Sequence, residues 1–369
     1  MKQKKKKPLV IVTTGGSGGH IFPAEAISQA LLEKGFDVAF ITDKRGKVFQ
    51  GLQGIDVYRL SAEHVMGRSF QYKVRAAFKL GFGVLQALRL LKKLKPVAVV
   101  GVGSYASIPA VVAAHLWQIP VVLHEQNAVL GRSNRLLGRY AKAIATSFNP
   151  TYKMPQGVSE VLVGMPARPA ILERKKIPYQ PAQKVFNLLI FGGSQGASFF
   201  SQKLADALLK LPPKIQSKIN LVQQVRAEDM DVLQKKYKKA TFHNLELKSF
   251  FDNMPDLLVK AHLVVGRSGA STLTELMVIG RPAILIPLPT SADNHQMENA
   301  RQFCDAGAGW LMAESDFNEK AFNERLMRLI ENADMLVQAS QSAKRIAQLD
   351  AGKKVADLVA NIVENKKWN

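Results

Sequence analysis

Nine residues near the start of the chain combine a loop that could approach a ligand closely with a side chain that could accept a proton. Residues 12–20 read VTTGGSGGH and lie between an apolar run and a predicted helix. Glycine-rich turns from a strand into a helix expose backbone N–H groups, and the start of a helix favours negative charge. The imidazole of His20 suits general-base catalysis near neutral pH. A purely structural turn remains the alternative explanation for the glycines.

This loop does not fit the two common nucleotide-binding signatures. A dinucleotide fingerprint requires glycine where Ile21 stands, and no Gly-Lys-Ser/Thr sequence follows as it does in a P-loop. A similar loop, GGSQG at 192–196, follows a later apolar run but has no ionisable side chain. We therefore expect two unequal half-sites, with a base on the acceptor side and a phosphate cradle on the donor side.

A third stretch, GRSGASTLTE at 266–275, is suited to binding a nucleoside diphosphate. Amides at a helix start near Ser271, with the hydroxyls of Ser271 and Thr272, would bind the phosphates. Glu275, one turn further on, could accept both hydroxyl groups of a ribose. A solvated helix residue is the alternative for Glu275. The polar stretch SADNHQMENA at 291–300 could add sugar contacts, although ordinary surface helices look similar.

Two strand ends in the first half of the chain carry further candidates. HEQNAVLGRSN at 124–134 follows a predicted strand, where ligands of parallel sheets bind. Glu125 and Asn127 could hydrogen-bond a sugar, whereas His124 is equally well explained as a core residue. GVGSY at 101–105 ends another predicted strand and could cover the acceptor site.

Alternating apolar and amphipathic stretches predict the parallel α/β architecture that positions these loops. The first half has predicted strands at 9–13, 36–42, 97–101 and 120–124, predicted helices at 23–34 and 107–117, and a basic amphipathic stretch at 72–95. The pattern restarts near residue 187, with strands at 261–265 and 283–287 and helices at 270–280, 293–304, 318–331 and 338–364. Prolines 166, 169, 178 and 181 indicate a linker between two domains.

Composition limits the class of protein. The chain has 369 residues, 47% of them hydrophobic, and a formal net charge of +22. This fits two globular domains with an anionic partner: nucleic acid, a membrane surface or a polyanionic substrate. The single cysteine, Cys304, excludes an intrachain disulfide and fits a reducing compartment. No apolar stretch approaches the roughly 20 residues that span a bilayer.

Seven ordered motifs resemble glycosyltransferase family 28, specifically the N-acetylglucosaminyltransferases that make lipid II for peptidoglycan. They are GGSGGH, GVGSYAS, HEQNAVLGRSN, GMPAR, GGSQGA, GRSGASTLTE and DNHQMENA, and the resemblance runs from about Leu9 to the final helix. It implies the α/β GT-B fold, two Rossmann-like, doubly wound domains facing across a deep cleft. Residues 1–163 would bind acceptor and membrane, residues 164–344 would bind the donor, and a helix at about 345–369 would pack on the first domain.

The resemblance also implies the reaction and its residues. An inverting, metal-independent hexosyltransferase without a cofactor would move N-acetylglucosamine from UDP-N-acetylglucosamine to the C4 hydroxyl of undecaprenyl-diphospho-muramyl-pentapeptide (lipid I). His20 is the candidate base. The implied donor contacts are Ser17, Gly18 and Gly19 of the first loop, Asn127 and Arg168 near the sugar, Ser194 at the diphosphate, Phe251 at the uracil through its backbone, Ala270, Ser271, Thr272, Leu273, Thr274 and Glu275 under the diphosphate and ribose, and His295 and Gln296 at sugar hydroxyls.

Three positions depart from the family pattern. Ser17 stands where threonine is more frequent, Met165 where asparagine is usual, and Ser104 where glycine is common. A side-chain contact at position 165 is therefore doubtful, while Ser17 keeps the hydroxyl. None of the three changes removes a group that the chemistry needs.

The basic stretch at 71–96 suggests membrane contact. It combines Phe78, Phe82 and Leu85 with seven lysines and arginines, which is typical of a helix at an anionic interface. A domain helix with a solvated basic face is the alternative, but the resemblance includes a hydrophobic, basic patch here. We therefore expect a peripheral protein on the cytoplasmic face of the cell membrane, attracted also by the lysines at 4–7. Other cell-wall synthesis proteins are further expected partners.

Two alternative functions remain to be compared with this one. The first is another GT-B enzyme that uses a nucleotide sugar to glycosylate a glycolipid. The second is a nucleic-acid-binding protein, which would explain the charge. The chain has no recognised nucleic-acid motif and no aromatic platform among basic residues, so no nucleic-acid partner is expected.

Overall fold

The protein consists of two α/β units, each built on one parallel sheet. The computed structural model describes residues 7–15, 18–43, 54–62, 70–193 and 198–365. The first unit comprises Met1–Arg168 and Gln348–Asn369, and the second comprises Pro169–Ala347. The predicted fold class, two Rossmann-like doubly wound domains, is confirmed.

The first unit has a seven-stranded sheet in the order β3-β2-β1-β4-β5-β6-β7. Its strands are β1 (Leu9–Thr13), β2 (Asp37–Thr42), β3 (Asp56–Arg59), β4 (Ala98–Gly101), β5 (Val121–Glu125), β6 (Ala143–Thr146) and β7 (Ser159–Leu162). Its helices are α1 (Gly18–Glu33), α2 (Phe70–Leu94), α3 (Ile108–Leu116), α4 (Arg132–Leu137) and, after the second unit, α14 (Ala351–Asn365). Short 3-10 turns lie at Tyr105–Ser107 and Gly138–Tyr140.

Both faces of this sheet are buried, which explains why its central strands are continuous apolar runs. Val10 and Val12 of β1 share a core cluster with residues of α1 and α14. Ile11, which points to the opposite face, packs in a second cluster with residues of α2 and α3. The period-2 alternation of a strand thus places helices on both sides of the sheet.

The second unit has a six-stranded sheet in the order β10-β9-β8-β11-β12-β13. Its strands are β8 (Phe186–Phe191), β9 (Ile219–Gln224), β10 (Asn244–Lys248), β11 (Leu263–Gly266), β12 (Ala283–Leu285) and β13 (Gly309–Leu311). Its helices are α5 (Pro169–Leu172), α6 (Ala205–Leu209) after a π-helical turn at Phe200–Leu204, α7 (Pro213–Gln216), α8 (Met230–Tyr237), α9 (Met254–Lys260), α10 (Ala270–Ile279), α11 (His295–Asp305), α12 (Glu319–Glu331) and α13 (Ala333–Ile346). Short 3-10 turns lie at Ala227–Asp229, Ala292–Asn294 and Glu314–Asp316.

Each sheet reverses its strand order at one point. In the first unit the reversal lies between β1 and β4, and in the second it lies between β8 and β11. The loops that follow two such strands lead to opposite faces of the sheet, which opens a crevice at its carboxyl edge where ligands bind. The loops that the sequence singles out at 14–17, 102–104, 192–197 and 267–269 follow these four strands.

Two predicted helix boundaries are wrong. The helix predicted at 23–34 begins at Gly18, and Pro23 lies inside it rather than at its start. The single helix predicted at 338–364 is two helices, α13 and α14, separated near Asp350, whose φ is +58°. Apolar periodicity continues across this break because each helix buries its own face, so the periodicity does not reveal it. At this break the chain returns from the second unit to the first.

Candidate active site

His20 lies at the strand-order reversal of the first unit. It is the third residue of α1, and its ring lies beside Gly103 in the loop that follows β4. A Cβ atom at position 103 would lie 3.0 Å from Cε1 and 3.1 Å from Nδ1 of the imidazole. Gly103 also has a φ of +78°, which side chains other than glycine rarely adopt. Both facts explain why glycine is needed there.

Burial lowers the pKa of His20 below its usual value of 6.5. The nearby carboxylate of Glu125 opposes this effect, as do contacts with the side chain of Gln126 and the backbone of Val102. The imidazole is therefore neutral near pH 7, and a neutral imidazole is the form that can accept a proton.

Behind His20, two buried side chains form a chain of hydrogen bonds. The Nε2 atom of His124 lies 2.9 Å from the carbonyl oxygen of Gly164. The Nδ1 atom of the same ring lies 3.2 Å from Nε2 of Gln126, which also donates to the carbonyl of Val102. Burial lowers the pKa of His124 to about 4. His124 is therefore an uncharged core histidine, one of the two roles that the sequence allowed.

The structure gives Glu125 a different role from the sugar contact considered from sequence. Its carboxylate accepts hydrogen bonds from the backbone N–H groups of Asn127 (3.0 Å) and Gly131 (2.8 Å) and from Nδ2 of Asn134 (2.9 Å). These donors lie in the loop and helix start that follow β5. Glu125 thus holds this loop in place, and Asn127 is the partly exposed residue that the loop presents.

Ser104 has a backbone conformation that favours glycine. Its φ is +69° and its ψ is 155°, and residues other than glycine occupy this region at a cost of about 1–3 kcal/mol. Its Oγ atom lies 2.1 Å from where a Cβ atom of Gly15 would be, so the first glycine loop packs directly against it. Glycine, which the resemblance gives as the common residue at this position, is thus the residue that this backbone conformation favours.

In the second unit, helix α10 begins directly after the strand-order reversal. Gly269 precedes it in an extended conformation and, having no side chain, cannot itself cap the first N–H groups of the helix. Ser271 is exposed and Thr272 is partly exposed, whereas the side chain of Leu273 is fully buried. Glu275 is only 8% exposed, which excludes a solvated surface residue.

Arg267, which the sequence analysis did not single out, fixes the loop before α10. Its Nη1 atom donates to the carbonyls of Ile286 (3.0 Å) and Pro287 (3.1 Å) at the end of β12. Its Nη2 atom forms an ion pair with Glu314, and its guanidinium lies 5.1 Å from the ring centre of Phe200. A basic residue within GRSGAS is visible in the sequence, but its burial is not.

Helix α11 is tied to the same loop. The Ser268 hydroxyl donates to the carbonyl of Gln296 over 2.7 Å, and Nδ2 of Asn299 donates to the carbonyl of Ser268 over 3.1 Å. The side-chain oxygen of Gln296 accepts from the backbone N–H of Leu288 (3.0 Å). Nδ1 of His295 lies 2.8 Å from the carbonyl of Ala292. The two sequence candidates on α11 are thus held beside the start of α10.

The remaining predicted site residues that the structure describes lie in both units. Phe251 is buried, with Nζ of Lys248 at 5.5 Å from its ring centre. Arg168 is partly buried at the end of the first segment of the first unit, and Gly18 and Gly19 open α1. Ala270 is the first residue of α10, and Thr274 is buried on it. Ser17 and Ser194 lie outside the described residues, as do the lysines at 4–6.

Helix α2 presents an exposed apolar stripe. Phe78, Phe82 and Leu85 are 77%, 53% and 53% exposed. Because they are spaced four and three residues apart, they lie on one side of the helix, and the exposed Arg75 and Arg89 extend this side at both ends. We call these five residues the α2 stripe. The opposite side of the helix is buried through Ala87 and Leu91 of the core.

The described residues lack two features, a cluster of metal-ligating side chains and a helix that could span a membrane. No group of three or more His, Cys, Asp and Glu side chains in the described part of the chain could hold a metal ion. None of the helices in those same ranges is long and apolar enough to cross a membrane.

Two Rossmann-like units in one chain, each with candidate ligand loops at its strand-order reversal, define the GT-B class of glycosyltransferase folds. Residues 10–146 match the glycosyltransferase family 28 N-terminal domain, and residues 187–362 match the glycosyltransferase family 28 C-terminal domain. The chain belongs to glycosyltransferase family 28.

Relatives and a solved structure extend this similarity over nearly the whole chain. UDP-N-acetylglucosamine--N-acetylmuramyl-(pentapeptide) pyrophosphoryl-undecaprenol N-acetylglucosamine transferase of Paramagnetospirillum magneticum is 41% identical over 98% of both chains. The protein of the same name from Rhodospirillum rubrum is 42% identical over 97% of this chain and 92% of its own. The crystal structure of Acinetobacter baumannii MurG has a TM-score of 0.80 at 30% identity, covering 96% of this chain and 100% of that chain.

Proposed function

We propose that this protein transfers N-acetylglucosamine from UDP-N-acetylglucosamine to the C4 hydroxyl of lipid I and so forms lipid II. Two relatives that are named as the N-acetylglucosamine transferase acting on N-acetylmuramyl-(pentapeptide) pyrophosphoryl-undecaprenol match the chain at 41% and 42% identity almost from end to end. The structural observation that carries the proposal is the position of His20, a partly buried imidazole, neutral near pH 7, at the strand-order reversal of the first unit. A transferase of this kind needs a base there to activate the acceptor.

The reaction requires one proton transfer and one substitution at carbon. His20 accepts the proton of the C4 hydroxyl, and the oxygen attacks the anomeric carbon of the donor sugar. The bond between this carbon and the diphosphate oxygen breaks, and its electron pair leaves with UDP. Because attack and departure occur on opposite sides of the carbon, the configuration inverts. His20 then carries the positive charge as an imidazolium.

The second unit would bind the donor around α10. The N–H groups at its start, with Ser271 and Thr272, neutralise charge that develops on the leaving diphosphate. The resemblance implies Arg168 as a further cation. Glu275 accepts hydrogen bonds from the ribose hydroxyls. His295 and Gln296 would contact sugar hydroxyls. This arrangement supplies charge stabilisation without a metal ion, so transfer should persist in excess EDTA.

The remaining contacts with the donor are those that the resemblance implies. The backbone of Phe251 would bind uracil, and Asn127 would contact the sugar. Ser17, Gly18 and Gly19 of the first loop and Ser194 of the second would complete the contacts. The position of Asn127 supports its role, because Glu125 holds its backbone at the carboxyl edge of the sheet.

The acceptor is a lipid, and the α2 stripe is suited to the surface in which such a lipid lies. Phenylalanine and leucine side chains at this exposure, flanked by arginines, favour the boundary between headgroups and acyl chains. The apolar surface continues into Trp117 of the segment after α3, which is 47% exposed and donates to the carbonyl of Leu88 of α2. The protein would therefore bind an anionic membrane peripherally, on the cytoplasmic face.

A transfer assay with two donors and one acceptor tests the proposal. The purified protein should convert a lipid I analogue to the lipid II analogue with UDP-N-acetylglucosamine, and mass spectrometry identifies the product. UDP-glucose should react at least about fivefold more slowly, since one lost hydrogen bond costs roughly 1 kcal/mol or more. A preference for UDP-glucose would instead indicate another GT-B enzyme that glycosylates glycolipids.

A further inference from the structure

We propose that Gln126 is a positioning residue that selects which nitrogen of His20 accepts the proton, and that His124 fixes the orientation of Gln126. The inference deepens the proposed function and rests on His20 being its general base. It concerns a chain of three side chains, from the carbonyl of Gly164 through His124 and Gln126 to His20, all within the first unit.

The orientation of the chain is set at Gly164. A carbonyl oxygen can only accept a hydrogen bond, so Nε2 of His124, 2.9 Å away, must donate its proton. A neutral imidazole has one N–H group, and Nδ1 of His124 is therefore an acceptor. The group at 3.2 Å from it must be the NH₂ end of the Gln126 amide.

The amide of Gln126 is fixed a second time by its own surroundings. Its nitrogen also donates to the carbonyl of Val102 over 3.3 Å, which would be impossible if oxygen and nitrogen were exchanged. Gln126 is 3% exposed, so water does not compete for the amide. Its oxygen is consequently the end directed at the space beside Gly103, at 3.5 Å from where a Cβ atom there would lie.

The same space holds Nδ1 of His20, at 3.1 Å from that position. This nitrogen is buried and has no hydrogen-bond partner among the residues that the structure describes. The Gln126 side chain and the Val102 backbone both raise the pKa of His20, as hydrogen-bond acceptors do, and the Gln126 oxygen lies beside Gly103 as Nδ1 does. Nδ1 must therefore carry the proton, and Nε2 has the lone pair that accepts the proton of the substrate.

Two ionisable groups accompany this chain. Glu125 lies on β5 next to His124, and its negative charge raises the pKa of His20. Its carboxylate is held by donors from the loop after β5, so the charge is fixed in place. His124 is neutral at any pH at which the enzyme would act, because burial lowers its pKa to about 4. Gln126 therefore orients the proton of the His20 ring and adds no charge of its own.

The tautomer can be measured directly without substrate. We would label the seven histidines with ¹⁵N and assign His20 from the signals lost in His20→Gln. Long-range ¹H–¹⁵N spectra at pH 7.5 should show the Nδ1–H tautomer for His20 and the Nε2–H tautomer for His124. An Nε2–H tautomer at His20 in the wild-type protein would overturn the proposal. This result is independent of whether the protein transfers sugar to lipid I.

Variants of Gln126 connect the tautomer with the rate. Gln126→Leu should convert His20 to a mixture of tautomers and lower kcat by about 10-fold or more; a wrong tautomer of a catalytic histidine in a serine protease costs about 10⁴-fold. The KM for UDP-N-acetylglucosamine should change less than about threefold, because the donor residues around α10 are untouched. Gln29→Leu, at an exposed position on α1, is the matched control and should change neither quantity.

Gln126→Glu keeps an acceptor beside His20 and adds charge. It should restore the Nδ1–H tautomer and shift the acidic limb of the kcat/KM profile to higher pH, since a carboxylate raises the pKa of the imidazole. A role of Gln126 in packing alone would move neither the tautomer nor the acidic limb. An unchanged His20 tautomer in Gln126→Leu, together with an unchanged kcat, would therefore refute the proposal.

Discussion

The absence of a side chain at Gly103 gives the imidazole of His20 the space it occupies. A Cβ atom at position 103 would lie 3.0 Å from Cε1 of the ring. Alanine there must displace His20, and it also meets a φ of +78°, which costs roughly 1–2 kcal/mol. We expect Gly103→Ala to lower kcat by about 10-fold or more while the KM for the donor changes little. Steady-state kinetics and thermal unfolding measure both effects.

Gly157→Ala separates the two causes. Gly157 has nearly the same φ, +76°, but a Cβ atom there would meet nothing within 4 Å. This variant should lose a comparable amount of stability and keep its kcat. If both variants lose the same fraction of activity, the contact with His20 is not the reason.

The pKa of His124 predicts a specific dependence of stability on pH. Burial lowers it to about 4, compared with about 6.5 in the unfolded chain. As the pH falls through this range, the unfolded chain binds the proton first, so stability is lost between pH 6.5 and 4. From pH 7 to 5, the wild-type protein should lose about 2 kcal/mol more than His124→Gln in urea denaturation. Equal losses would show that His124 is not held neutral.

Replacing Arg281, which is not one of the candidate site residues, should have a large effect on stability. It is 1% exposed and donates to carbonyl groups at the C-terminal ends of α9 and α10, including Val259 (2.7 Å) and Ile279 (2.9 Å). Burial lowers its pKa to about 10, so it remains charged at neutral pH. Arg281→Met leaves these carbonyls without donors and should lower the free energy of unfolding by roughly 3 kcal/mol or more. The exposed Arg328→Met should change it by less than about 0.5 kcal/mol.

If Arg281→Met unfolds with the same urea midpoint as the wild-type protein, the carbonyls must find other donors. The urea midpoint of Arg281→Lys should lie between those of Arg281→Met and the wild-type protein, since an ammonium group cannot reach both helix ends as the guanidinium does.

The α2 stripe predicts the behaviour of the protein towards lipid. Replacing Phe78, Phe82 and Leu85 together by serine should weaken binding to vesicles that contain anionic phospholipid by about 10-fold or more, because each apolar side chain contributes roughly 1.5–3 kcal/mol when buried. Vesicle co-sedimentation measures this binding. Val232→Ser with Ile177→Ser, at exposed apolar positions of the second unit, is the control. Unchanged binding of the triple variant would reject membrane contact by the stripe.

The sequence predicts the centre of each sheet better than its edges. Strands β1, β4 and β5 are buried on both faces and therefore appear as continuous apolar runs. Two interior strands, β6 and β9, were not predicted although most of their residues are buried. The four edge strands, β3, β7, β10 and β13, were not predicted either. They are only three to five residues long, and none of them contains a fully buried residue. Such segments have no clear hydrophobic pattern, and only pairing with a neighbour makes them strands.

Individual residues of the candidate site were predictable where their position on an element was sufficient. His20 at a helix start and Glu275 on the second turn of α10 follow from glycine loops and strand ends. The roles of Glu125 and Gln126 do not, because they depend on where later parts of the chain return. The partner that orients His124, the carbonyl of Gly164, is 40 residues away in sequence. Spacing within a motif contains no information about such a contact.

The central claim is that the first unit supplies the base, His20, and that the second unit binds the donor, through Glu275. One kinetic experiment tests it. Transfer from UDP-N-acetylglucosamine to a lipid I analogue would be measured for the wild-type protein, His20→Ala and Glu275→Ala over a range of donor concentrations. His20→Ala should lower kcat by about 10²-fold or more at a nearly unchanged donor KM. Glu275→Ala should mainly raise the donor KM, by roughly 10-fold. An undiminished kcat in His20→Ala would contradict the account.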